Sequence, residues 1–289
     1  MLPFILVFLV FQAWPLIQTF YYSMFKYFKS GLSWIGPEFV GFDNFVAIFD
    51  MSSGNNILAL TWNTLIMWVL GFVPQIIISL LFAYWFTNVR LRLRCLGFFK
   101  TVMYMPNLIM ASAFAMLIFS IFSDIGPINE LIKHTTGGEA FRFLSYTGST
   151  MGLVAFMNFI MWFGNTTILL MAAMMGINES VIEAAEIDGC GTMQKFFTIV
   201  FPLLKPVMAT VIIIVTLNVW NEFMTPLLFL QSRANDVILQ EVSRNIGQFS
   251  TDWTAMFPMM MLGVAPLMIF YLFMQKYIIA GVAAGAVKG

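Results

Sequence analysis

Residues 61–86 read TWNTLIMWVLGFVPQIIISLLFAYWF, without one Asp, Glu, Lys or Arg. A helix needs ~20 such residues to cross the hydrocarbon of a bilayer. Comparable runs occur at 2–25, 101–123, 149–175, 206–231 and 255–275. Backbone polar groups in hydrocarbon must be satisfied inside the protein, which leaves spanning helices or a closed barrel. A barrel needs alternating segments of ~10 residues, and these runs do not alternate. Composition agrees: 10% of the chain is charged, against roughly a quarter in an average soluble domain. The expectation is an all-α integral membrane protein, with about six transmembrane helices forming one domain over 1–289. The run from Met1 to Phe25 has no basic leader and no small-residue cleavage site, so it reads as a retained first helix.

Lys and Arg set the orientation of such a chain. The short 87–100 loop holds Arg90, Arg92, Arg94 and Lys100; the 176–205 loop adds Lys195 and Lys205, and the 276–289 tail adds Lys276 and Lys288. Those segments and both termini are expected in the cytoplasm. The loops 26–60, 124–148 and 232–254, richer in Gly, Asn and Ser, are expected outside. Cys95 and Cys190 then face a reducing compartment and remain thiols. One histidine, His134, rules out a His-rich metal site, and a formal net charge of zero gives no argument for nucleic acid.

The 176–205 loop contains the stretch EAAEIDGCGTMQKFFTIVFP, Glu183 to Pro202. Asn178 or Ser180 can cap a short helix, Ser180 with Glu183 forming a capping box. Ala184 and Ala185 offer a bare surface for close approach by another protein. Gly189 and Gly191 permit a turn, and Thr192 can cap a second helix. Met193, Phe196, Phe197, Val200 and Phe201 then form one apolar stripe. Pro202 is expected to stop that helix and Pro206 to open the next span. The pattern is helix–turn–helix, with one helix packed on the membrane domain and the other displayed. The plainer alternative is an ordinary capped loop with solvated acids.

Glu183-Ala184-Ala185, three residues, Gly189, nine residues, Ile199, one residue and Phe201-Pro202 closely resemble the EAA signature of ABC-importer permeases, with Phe201 where that signature has Leu. Ile187-Asp188-Gly189-Cys190 resembles the IDGA form of the carbohydrate permeases. GFDNFVAIF (Gly41–Phe49), GPIN (Gly126–Asn129) and WNEFMTPLLFL (Trp220–Leu230) also fit that group. The first of these resembles the larger maltose-type subunit, whereas AGAVKG (Ala284–Gly289) resembles the smaller one. The resemblance implies a type I ABC importer permease fold in a bacterial or archaeal inner membrane. It further implies a displayed coupling helix docking on a separate ATPase, with Glu183 pairing a basic residue there, Ala184 and Ala185 in contact, and Asp188 and Gly189 at the turn. The implied partners are a second homologous permease subunit, two cytoplasmic ATPase subunits carrying ATP and Mg, an extracytoplasmic solute-binding protein, a carbohydrate substrate and membrane lipid.

No G-x-x-x-x-G-K-[ST], H-E-x-x-H or C-x-x-C occurs, so the chain itself is expected to be no enzyme and to bind no cofactor. Polar residues inside spans carry the remaining information. Asn218, Asn221, Glu222 and Thr225 fall on one stripe beside Trp220, and Asn158, Trp162 and Asn165 on another. Such groups face a cavity or each other, and Asn with Trp suits a sugar. They serve equally as interhelical glue or as marks of a helix break at Pro226. Two competing functions stand beside the importer reading. One is a secondary transporter driven by an ion gradient through Glu222; the other is a non-transporting scaffold or receptor subunit.

Overall fold

A computed structural model describes residues 2–50, 56–88, 94–230, 232–247 and 250–286. Arg90, Arg92 and Lys288, used above for orientation, lie outside the described residues, as does the end of AGAVKG. Among the described residues, six segments are long and apolar enough to cross a membrane: Leu2–Tyr22, Ile57–Thr87, Ala111–Thr136, Thr147–Met175, Thr192–Phe229 and Trp253–Tyr277. The described residues are mostly helical, and the chain divides into two compact units, 1–66 with 226–269 and 67–225 with 270–289.

In the first unit, no residue of the opening helix Leu2–Tyr22 is buried. The 26–60 segment is not the plain loop expected. Strands Phe25–Ser30 and Ser33–Phe39 pair antiparallel, and a short helix Asp43–Ile48 follows. Buried Asn44 explains part of the GFDNF motif. Its Nδ2 donates to Ser23 O and Phe25 O, both at 2.9 Å, and so satisfies carbonyls where the first helix gives way to the hairpin. Tyr27 N donates to Thr254 Oγ1 at 2.9 Å and Lys29 N to Thr251 O at 2.7 Å, which ties the hairpin to the start of the last helix.

The same unit holds a clasp of charges around the helix Ile238–Arg244. Arg233 grips Glu241 and Arg244 grips Asp236, each through two guanidinium nitrogens. Both carboxylates are fully buried and both arginines are partly exposed. Burial pushes the Asp236 carboxyl up from its ordinary range; Arg244 opposes the rise and the neighbouring Glu241 adds to it. Asn63 Nδ2 donates to Ala234 O (2.9 Å) and Asp236 O (3.0 Å), fixing this segment against the second span.

The second unit is a bundle whose core includes Ile76, Ala83, Leu170, Met171, Val200, Leu204, Val211 and Val219. Polar side chains join its helices: Trp68 Nε1 to Thr216 Oγ1 (3.2 Å), Gln75 Nε2 to Thr166 Oγ1 (2.9 Å) and Ser79 Oγ to Phe163 O (3.0 Å). Such bonds serve as glue where hydrocarbon outside gives no hydrophobic drive between helices. A Cβ on Gly164 would stand 1.9 Å from Met103 O, so the helix Leu96–Tyr104 lies backbone to backbone against Thr147–Met175.

Three expected spans differ. The third, 101–123, is broken: Leu96–Tyr104 passes into a tight turn Met105–Leu108 containing Pro106, and a new helix runs Ala111–Phe122. Beyond it, buried Asn129 of the GPIN motif donates to Ser123 O and Phe141 O and accepts from Phe141 N, holding the connection to Pro127–Thr136. The last span continues as helix to Ala286, through most of what read as a tail. The fifth begins near 192 rather than 206. Pro202 does not stop the preceding helix, and Pro206 lies inside the continuation Phe201–Trp220.

The reason is a wide helical turn over Phe196–Val200, closed by Phe201 N donating to Phe196 O. A proline removes an N–H and presses its ring on the carbonyl four residues back, and a widened turn relieves both demands. The first helix uses the same device: a wide turn Leu9–Ala13, closed by Trp14 N to Leu9 O, immediately before Pro15.

The charge clasp makes a prediction. Arg244→Ala leaves the Asp236 carboxylate buried without its guanidinium. The expected loss is about 3 kcal/mol, the lower end for breaking a buried pair, because Arg244 is itself part-exposed. With the pair gone, Asp236 holds its proton more tightly folded than unfolded, so stability rises as pH falls. Thermal midpoints in detergent should show a deficit at neutral pH that shrinks on acidification.

Candidate functional site

The stretch recognised in the sequence forms a helix, Glu179–Ile187, a turn, and a second helix from Thr192. Asn178 is the cap, its side chain accepting Ser180 N at 3.1 Å. Ser180 therefore lies inside the first turn, and the Ser180–Glu183 capping box does not form. Gly191, not Thr192, occupies the cap position of the second helix, with no side-chain cap.

The far end of the first helix closes as a Schellman motif. Cys190 N donates to Ala185 O and Gly189 N to Glu186 O, both at 3.0 Å. This pairing of the last carbonyls needs a left-handed residue one place beyond the cap, and Gly189 has φ +79. Nothing lies within 4 Å of where its Cβ would be, so the demand for glycine is one of backbone angle, not of space.

The two alanines part company. Ala184 is exposed, whereas Ala185 is buried against the bundle, so only the first belongs to a displayed surface. Glu183, Ile187, Asp188 and Gly189 are exposed beside it. On the inner side, Ile182 and Phe196 pack on the core of the second unit. Tyr84 donates its hydroxyl to Thr192 O at 3.0 Å and sets its ring edge-on to Phe196 at 4.8 Å. The expected apolar stripe is only half realised. Val200 is buried and Phe196 and Phe201 partly so, while Met193 and Phe197 stand exposed. The wide turn at 196–200 shifts the helical register and swings part of the stripe outward.

Between this helix pair and the ends of the second and fourth spans lies a cavity of about 720 Å³. Met171, Met174 and Val200 line its apolar side; Glu179, Glu183, Glu186, Lys100 and Lys195 supply charge. Within it Lys195 Nζ pairs with Glu186 Oε1. In the sequence alone Lys195 bears only on orientation, and Glu186 does not stand out as a site residue. Nine positions separate the two across a glycine turn, and no helical periodicity links them.

The intramembrane candidates fall on two helices. Asn158 is buried with its side-chain oxygen unpartnered; Trp162 and Asn165, further along the same helix, are half-buried. Asn218 is half-buried and Asn221 exposed at the end of Phe201–Trp220. Glu222 follows in the break. Its Oε1 accepts Thr225 N at 3.0 Å and Thr225 Oγ1 at 2.9 Å, taking up one amide in the first turn of the helix Met224–Phe229.

Residues 75–283, which include the whole of this loop, match the family described as binding-protein-dependent transport system inner membrane component. The chain belongs to that family. Relatives of this inner membrane component include the melibiose/raffinose/stachyose import permease protein MelC of Bacillus subtilis, 37% identical over 39% of this chain and 41% of that protein. The multiple sugar-binding transport system permease protein MsmG of Streptococcus mutans is 41% identical over 39% and 42%. The sn-glycerol-3-phosphate transport system permease protein UgpA of Escherichia coli O157:H7 is 30% identical over 71% and 66%. The chain thus spans about two fifths of the first relatives it matches and two thirds of the last. Its fold is that of a chain from a bacterial ABC transporter involved in the import of the acidic polysaccharide alginate, with TM-score 0.75, 23% identity, and coverage of 95% of this chain and 92% of that one. The family's description places the chain as an inner membrane component of a binding-protein-dependent transport system.

The glycine turn yields a graded expectation. A non-glycine residue in the left-handed region costs about 1–2 kcal/mol. Gly189→Ala should lose about that much, Gly189→Asn less, and Gly189→Val most, since β-branching is least tolerated there. Amide exchange at position 189 and at Cys190 should rise from Asn through Ala to Val, while membrane insertion stays unchanged.

Proposed function

We propose that this chain is one membrane subunit of an ATP-driven, binding-protein-dependent importer for a sugar or oligosaccharide. The observation that carries the reading is the Schellman-closed helix Glu179–Ile187. It leaves Glu183, Ala184 and Ile187 exposed, with Asp188 at its cap, while Ile182 packs on the core of the bundle and Ala185 is buried. A helix so held is suited to receive a push from another protein and hand it to the spans on either side.

In this reading the 176–205 loop and both termini lie in the cytoplasm of a bacterial or archaeal cell. Two ATPase subunits bind ATP and Mg there, and Glu183 pairs with a basic residue in a cleft of one of them. Asp188 and Gly189 shape the turn. A second, homologous permease completes the pathway, and an extracytoplasmic solute-binding protein delivers the cargo. ATP-driven closure of the ATPases rocks the two permeases about a midplane cavity and exchanges outward for inward access. The sugars named for MelC and MsmG support a carbohydrate cargo. Asn158, Trp162, Asn165, Asn218 and Asn221 are the proposed lining, offering amides for hydroxyls and an indole face for C–H surface. Glu222 stands at the edge of that set with its carboxylate already engaged by Thr225, an arrangement that favours shaping the helix break over carrying a coupling ion.

The test is reconstitution of the chain with its ATPase and partner permease in vesicles. Glu183→Ala removes one side of an interfacial charge pair, an effect of about 2 kcal/mol or more. ATPase retention should weaken about thirtyfold or more, and uptake should fall with it, while the chain still inserts. Uptake that survives ATP depletion and collapses with the ion gradient would overturn the reading.

A further inference from the structure

We propose that Lys195 and Glu186 are positioning residues: their ion pair is a strut that locks the displayed helix to the helix entering the fifth span, so that the two move as one lever. The inference rests on the importer reading and deepens it.

The placement of the two charges is the first argument. Glu186 lies in the last turn of Glu179–Ile187 and Lys195 in the first turns of the helix that begins at Thr192. A helix favours cations at its C-terminus and anions at its N-terminus. Each charge therefore sits at the disfavoured end of its own helix. Lys195 is moreover buried, only 7% exposed, and a buried ammonium is tolerated only when paired. Each helix alone disfavours its charge, and the pair between them, Nζ to Oε1, removes the conflict.

The connection supplies the second argument. Residues 188–191 hold two glycines, and the Cβ position of each is open, with no atom within 4 Å. Such a turn resists bending weakly. Without a cross-link, displacement of the displayed helix would be absorbed there. Tyr84, bonded to Thr192 O and edge-on to Phe196, holds the other side of the joint to the second span. The strut and the tyrosine brace the joint from two directions, so a push on Glu183 or Ile187 travels into Phe201–Trp220.

Three forms of the assembled transporter test this: Lys195→Met, Glu186→Gln, and the exchange Glu186→Lys with Lys195→Glu. Each carries Leu217→Cys, exposed on the fifth span, in a background with Cys95 and Cys190 changed to serine. ATP hydrolysis and ATPase copurification report assembly. The change in thiol labelling at residue 217 on adding ATP, Mg and vanadate reports transmission. The single variants should keep hydrolysis and copurification and lose the labelling change at least about fivefold, the low end of an allosteric coupling. The exchange should restore it, because it re-forms the pair with each charge at the favourable end of its helix.

A full labelling change in either single variant, or an exchange that restores assembly without it, overturns the strut. Should the single variants fail to assemble, the exchange decides alone, and its failure to assemble also counts against the proposal. Failure of the parent with Leu217→Cys to copurify with an ATPase would instead overturn the importer reading.

Discussion

Every backbone amide and carbonyl in hydrocarbon needs a partner within the protein, because an unpaired one costs several kcal/mol. Helices meet that demand along their length but not at their ends or breaks. This chain spends its polar side chains there. Asn44 takes up two carbonyls where the first helix turns into the hairpin. Asn129 closes the connection after Phe122 with three hydrogen bonds. Glu222 accepts the amide and the hydroxyl of Thr225 in the first turn of Met224–Phe229. Two of the prolines that sit in helices, Pro15 and Pro202, each follow a wide turn that makes room for the ring. Much of what looks like scattered polarity in an oily sequence is backbone satisfaction at the few places where a helix stops being one.

That division explains what could be read from the residues. The spans were legible because length and apolarity are direct consequences of bilayer thickness. Their ends were not, because hydropathy does not report where a helix ends. The 192–205 segment is amphipathic rather than apolar, so the fifth span seemed to begin at Pro206, and nothing in the letters signals the wide turn that carries the helix through Pro202. The break at Pro106 hides inside a run whose hydropathy is uniform. The hairpin at 25–39 carries aromatic residues on both strands and a glycine turn, but it sits between two membrane-length runs and reads as loop.

The helix–turn–helix of the 176–205 loop was legible in outline and not in depth. Glu183, Ala184 and Gly189 stand where the motif put them, on an exposed helix and its turn. Ala185 turned out to be buried, because a nine-residue helix lying on a bundle must put one of two adjacent alanines inward. The Glu186–Lys195 pair depends on how two helices fold back across a turn, a tertiary fact that no local period encodes.

The fixed gap between the alanines and the glycine follows from hydrogen-bond geometry. In a Schellman ending the amide two places past the cap bonds the carbonyl five residues earlier. Cys190 bonds Ala185, so the left-handed residue must come immediately before Cys190, four after the buried alanine. Lengthening or shortening the gap by one would move either the glycine off the left-handed position or the alanine off the inner face. The three residues inside the gap are under no such constraint from the backbone. Here two of them, Ile187 and Asp188, are exposed, and the third, Glu186, turns in toward Lys195. The backbone fixes where this joint turns, and the side chains inside the gap set how stiff it is and what surface it shows.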